Sequence, residues 1–138
     1  MTDANINTLA RPQPLSPHIG IYRLTINMVM SIVHRITGAA LYFGTLLLAW
    51  WLIAIAQGPQ ALSTLNIVMG HPIGKAVLIG YTWALLHHMF GGLRHFIWDT
   101  GRGFDLGTVN RLCWLTIIGS LGVTAALWGY ALHLQGVF

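Results

Sequence analysis

Three stretches of the chain, residues 36–56, 73–93 and 112–134, run apolar for about twenty residues each, and only Lys75 interrupts them with a charge. A hydrocarbon core about 30 Å thick is crossed by roughly 20 apolar residues in helix, so each stretch is long enough to span a bilayer. Composition agrees: hydrophobic residues make up 55% of the 138 and charged residues 7%, whereas soluble domains carry about a quarter charged. The expected fold class is an all-α membrane protein. Its three transmembrane helices cover about 27–56, 72–99 and 110–135, within a transmembrane domain over 27–138.

Between the spans lie QGPQALSTLN and TGRGFDLGTVN, both rich in turn formers, the second offering Thr108 or Asn110 as an N-cap. Both read as short loops, which makes neighbouring helices antiparallel. Ahead of the first span, the prolines of RPQPLSPH preclude a regular helix and predict an extended arm over residues 1–26. MTDANINT lacks the basic and apolar regions of a signal peptide and the Arg-rich amphipathic character of a presequence. The expected location is therefore a bacterial inner membrane, with the first span directing insertion.

Arg11, Arg23 and Arg35 precede the first span and Arg94, Arg102 and Arg111 flank the second loop, leaving Lys75 alone near the first. Positive residues stay inside, which predicts a cytoplasmic N-terminus and second loop and an outer C-terminus. Spread in this way, the cations form no patch with interleaved aromatics, and nucleic acid is not an expected partner. The single cysteine, Cys113, excludes an internal disulfide or a CxxC motif and reads as a buried thiol.

Two polar constellations fall at the cytoplasmic end. Ser31, His34 and Arg35 in SIVHR are spaced i, i+3, i+4 and share one helix face. Snorkelling toward lipid phosphates accounts for them individually. In HHMFGGLRHFIWD, residues 87–99, His88, Gly92, His95 and Asp99 also share a face, and His88 lies ~9 Å deeper than Arg94 on a rise of ~1.5 Å per residue. A neutral histidine at that depth needs a partner: a hydrogen bond across a helix contact, a proton pathway, or a metal such as haem iron, with Gly91 and Gly92 leaving room for a flat ring. His87 is turned about 100° from that face. His71 and His133 lie at the other end, the six tryptophans read as interface anchors or packing, and the third span reads as a packing helix without chemistry.

Four segments together carry a family resemblance: Arg11–Pro12, SPHIGIY at 16–22, SIVHRIT at 31–37 and HMFGGLRHFIWDTG at 88–101. In this order and spacing the chain resembles the cytochrome b subunits of succinate dehydrogenase, membrane anchors of respiratory complex II. The last segment matches H-x-x-x-G-x-R-H-x-x-x-D-x-G throughout. Gln13–Pro14 is an insertion in what is often RPLSPH, and it leaves the contacts of the arm open.

The resemblance implies His88, not His87, as an axial ligand of haem b. It also implies Ser31 and Arg35 at the ubiquinone site, His34 and Arg35 beside the haem propionates, and His95 as support on that side. One axial histidine here implies a second from a companion anchor subunit, so that the chain forms half of a two-subunit haem-binding helix bundle. FAD and iron–sulfur clusters would reside in the flavoprotein and iron–sulfur partner subunits. The expected function is that of a non-catalytic anchor subunit in succinate:quinone oxidoreduction, linking the tricarboxylic acid cycle to the respiratory chain. The alternatives are an anchor that has lost its haem, a fumarate reductase anchor running in reverse, and a small proton-relay transporter. The transporter lacks the mid-membrane charges and inverted repeats it requires.

Overall fold

The computed structural model describes Pro17, Gly20, Ile21 and residues 23–136, and its described secondary structure is helical throughout. Most of the arm expected over 1–26, with Arg11 and Gln13–Pro14, lies outside the described residues. Helix α1 is Ile26–Gln57, α2 Pro59–Gly70, α3 Pro72–Asp99 and α4 Leu106–Leu134. Of these, α1, α3 and α4 have 32, 28 and 29 residues and are long and apolar enough to cross a membrane. At ~1.5 Å per residue each measures more than 40 Å, so its ends project beyond the hydrocarbon.

The first connection is not the loop its turn formers suggest; it is a helix of 12 residues, α2. Gly58, at φ 100°, adopts a backbone that favours glycine and ends α1. Pro59 then opens α2 at a position where its missing N–H is no loss and its fixed φ already suits a helix. The Gly-Pro pair is thus a stop followed by a start. Pro72 repeats the device at α3, where the His71 ring nitrogen Nδ1 accepts from the Ile73 N–H at 3.3 Å. Gly74 lets α3 fold tightly against the end of α2, since a Cβ there would stand 2.4 Å from the Val68 carbonyl oxygen.

At the opposite end the α3–α4 connection is as short as expected, but α4 begins earlier than Thr108 or Asn110. Asp105 is the N-cap, its carboxylate accepting from the Thr108 N–H at 2.8 Å. Gly101 and Gly103, both at φ 76°, turn the chain, and the Trp98 indole N–H donates to the Gly103 carbonyl at 3.0 Å.

Helix α3 is central, packed on α1, α2 and α4. Buried positions are mostly small or polar: Thr37, Gly44 and Ala54 on α1, Gly74, Ala84 and Gly91 on α3, Thr116, Ser120 and Thr124 on α4. Large apolar side chains such as Phe43, Leu46, Ile118 and Leu121 point outward. In lipid the outward-facing side chains gain no advantage from burial, so close backbone approach and interhelical hydrogen bonds hold the helices together instead. The seam between α3 and α4 has such bonds at three levels: Trp128 to Thr82 at 3.3 Å, His87 with Ser120 at 3.2 Å, and Arg94 to the Cys113 sulfur at 3.2 Å.

Candidate functional site

The start of α1 and the last turns of α3 meet at the arginine-rich end of the bundle. Between them Asn27, Ser31, His34, Arg35, Arg94, His95 and Trp98 line a cleft of about 240 Å³. The helical spacing of SIVHR turns Ser31, His34 and Arg35 toward it together, and the LRH segment supplies Arg94 and His95 from the facing helix. No acidic residue lines the cleft. Two guanidinium groups and two imidazoles with no acidic neighbour in the lining give it the chemistry to pair with carboxylate or carbonyl oxygen.

Arg94 is buried at 3% exposure, where a guanidinium without partners is costly. Its Nη1 donates to Cys113 and its plane lies 5.0 Å from the Trp98 ring centroid, while Nε finds no partner among the described residues. Cys113, fully buried, thereby ties α4 to the cleft from behind. This is a role for the third span that its sequence does not announce.

His88 lies ~16 Å back along α3 from Asp99, on a rise of ~1.5 Å per residue. Its Nδ1 is 3.1 Å from the carbonyl oxygen of His34. A carbonyl only accepts, so Nδ1 carries the hydrogen and Nε2 is left with its lone pair. Thr37, buried on α1, donates its hydroxyl hydrogen to the same carbonyl at 2.9 Å and stands 3.4 Å from the His88 nitrogen. A histidine that gives one ring N–H to a backbone carbonyl and keeps the other nitrogen bare has the form of a metal ligand. Among the described residues no three His, Cys, Asp or Glu side chains converge as for an ion held by protein alone. One turn along the same face, a Cβ at Gly92 would have nothing within 4 Å, leaving room for a flat ring beside His88.

The rings of His34 and His88 are stacked with centroids 4.0 Å apart, and His95 meets His34 edge-on at 5.4 Å. Helix contact here relies on glycine. A Cβ at Gly91 would stand 2.3 Å from His34 Cδ2, and one at Gly38 would stand 3.0 Å from His88 Cε1. The two glycines expected beside the ring therefore divide their work: Gly91 admits His34, and Gly92 keeps the His88 face open. His87 turns away toward α4 and bonds Ser120. Asp99, on the His88 face by spacing, is exposed and does not line the cleft. Asn27, Thr37 and Trp98 join the constellation without having been singled out for it in the sequence, although Thr37, three residues after His34, carried the spacing that could have marked it.

Residues 10–127 match the family model described as succinate dehydrogenase/fumarate reductase transmembrane subunit. The succinate dehydrogenase cytochrome b556 subunit of Rickettsia felis is 39% identical over 116 residues, covering 84% of this chain and 90% of that protein. The Paracoccus denitrificans cytochrome b556 subunit is 38% identical over 109 residues, 79% of this chain and 84% of its own. The mitochondrial cytochrome b560 subunit of Sus scrofa is 35% identical over 125 residues, 85% and 73% of the two chains.

Proposed function

The chain belongs to the succinate dehydrogenase/fumarate reductase transmembrane subunit family, and on that premise we propose that it anchors a succinate:quinone oxidoreductase, binds haem b through His88 and lines a ubiquinone site with Ser31 and Arg35. The observation that carries the reading is the His88 imidazole, its Nδ1 hydrogen engaged by the His34 carbonyl so that Nε2 is the free donor. The residues fit the group: a bare imidazole nitrogen for iron, an open face at Gly92, and an acid-free cleft for carboxylates. A bound haem b supplies one-electron transfer at its iron. His88 would hold the haem iron together with a histidine of a companion anchor subunit. His34, Arg35 and His95 would receive the haem carboxylates, with the buried Arg94 behind them.

In the same cleft Ser31 and Arg35 serve a quinone. Reduction to quinol takes two electrons and two protons, and negative charge gathers on the carbonyl oxygens as electrons arrive. The Ser31 hydroxyl donates to one such oxygen. Arg35, whose side chain is exposed at the cleft, donates to the quinone and stabilises that charge electrostatically. The companion anchor, the iron–sulfur subunit and the flavoprotein subunit with its FAD complete the complex. Arg23, Arg35, Arg94, Arg102 and Arg111 gather at one end of the bundle, which supports a cytoplasmic N-terminus in a bacterial inner membrane and docking of the catalytic subunits there.

A reduced-minus-oxidised spectrum of the purified complex tests the haem assignment. His88→Ala is expected to abolish the b-type signal, and a normal bis-histidine spectrum in that variant would refute the ligand. Arg35→Ala is expected to lower quinone reduction about 10²-fold or more, on the scale of a lost transition-state donor, while succinate oxidation with an artificial acceptor stays near wild type. Equal losses in both assays would make Arg35 an assembly residue.

A further inference from the structure

His34 acts on His88 in two ways that no other residue of the cleft does. Its carbonyl oxygen accepts the His88 Nδ1 hydrogen at 3.1 Å. Its ring covers the His88 ring at 4.0 Å between centroids, with the planes 18° apart. A histidine ring turns about a broad, soft χ2 torsion. One hydrogen bond fixes which nitrogen is protonated but leaves the plane of the ring free to rock, whereas a second ring packed against its face does not. The fold has made room for this stack at the expense of side chains: Gly91 stands where any Cβ would strike His34, and Gly38 where one would press on His88. His34 itself is packed so closely that its Nε2 is buried without a partner among the described residues.

We infer that His34 is a positioning residue for His88: its carbonyl selects the nitrogen presented to the iron, and its imidazole, seated on Gly91, sets the plane in which the axial ring stands. The inference rests on the haem reading above and is separate from any contact of His34 with a propionate. Hydrogen bonding and packing around a ligating histidine fix its orientation and basicity, so the consequence is spectroscopic before it is catalytic.

The test is the low-spin ferric EPR spectrum of the complete purified complex, which reports the orientation of the axial ring planes, taken with haem content and midpoint potential. His34→Ala keeps the carbonyl and removes the ring, so haem is expected to be retained with a shifted and broadened low-field g value. His34→Phe keeps a stacking ring with no hydrogen-bonding nitrogen and is expected to return the line toward wild type. Gly91→Ala keeps every polar group and drives a methyl into His34, and a shift is expected there as well. An unchanged line in His34→Ala or Gly91→Ala overturns the inference. So do equal shifts in His34→Ala and His34→Phe, the result of a lost hydrogen bond to a carboxylate rather than a lost stack. His88→Ala in the same preparation separates the two levels: haem surviving without His88 overturns the haem reading itself, whereas haem lost there alongside an unchanged His34→Ala line overturns the positioning role alone.

Discussion

A single missing side chain decides how close two helices of this protein come, and the glycines of α1 and α3 divide by what they face. Gly44 is pressed against Tyr81, where a Cβ would stand 1.9 Å from the ring. Gly44→Ala must displace that ring and is expected to destabilise the α1–α3 contact by about 1–3 kcal/mol, the usual cost of overpacking, read as a lower unfolding midpoint in detergent. Gly92 has nothing within 4 Å of its would-be Cβ. Gly92→Ala is expected to leave the midpoint of the haem-depleted complex unchanged while lowering haem retention. A drop in midpoint equal to that of Gly44→Ala would make Gly92 a helix-packing residue and remove the support it lends to the ring slot. At this scale the sequence marked both Gly91 and Gly92 as small, but their separate duties depend on a 100° turn between them and on which neighbour each turn meets.

The elements are set by their ends. Helix α4 starts where Asp105 accepts the Thr108 N–H, and that bond holds the Asp105 carboxyl below the usual carboxylate range, with Arg111 adding to the effect. A carboxylate whose folded pKa is depressed lends stability that is complete above its unfolded pKa and fades as pH falls through the folded value. The protection of amides at the first turn of α4, measured as exchange relative to the intrinsic rate at each pH, is therefore expected to be full at neutral pH and to fall on acidification through the carboxylate range. Asp105→Asn keeps an accepting oxygen that does not titrate, and its protection should lose that pH dependence; an unaltered protection profile would assign the effect to another group. Reading Thr108 or Asn110 as the cap failed because several polar residues precede the apolar run, and only the hydrogen bond tells which of them is at the boundary. The helix α2 escapes the sequence for the converse reason: Gly58 and Pro59 look like a turn, and only the structure shows them as the stop of one helix and the start of the next.

At the scale of the whole molecule, three membrane-length helices carry large apolar side chains outward along their length and bury selected polar ones where they meet, Thr37 against α3 and His87, Arg94 and Ser120 in the α3–α4 seam. On the proposed reading this chain contributes one axial imidazole, His88, whereas the haem needs two. The chain expressed alone is therefore expected to bind haem weakly and without a bis-histidine spectrum, and co-expression with the companion anchor subunit should restore that spectrum. A bis-histidine signal from the lone chain would show that both ligands reside here and would undo the shared-haem reading.

Hydrophobic run length by itself determined that this chain carries three helices made to cross a membrane, because the bilayer imposes that length and composition on the primary structure without reference to any fold. Helical spacing likewise put Ser31, His34 and Arg35 on one face. Which faces meet was decided only by the tertiary structure. The stack of His34 on His88, the tautomer chosen by a backbone carbonyl 54 residues away in the chain, the buried Arg94 leaning on Cys113 and the turning of His87 toward Ser120 are all contacts between helices. Their register rests on glycines and small polar residues whose spacing alone does not say which helix they will touch.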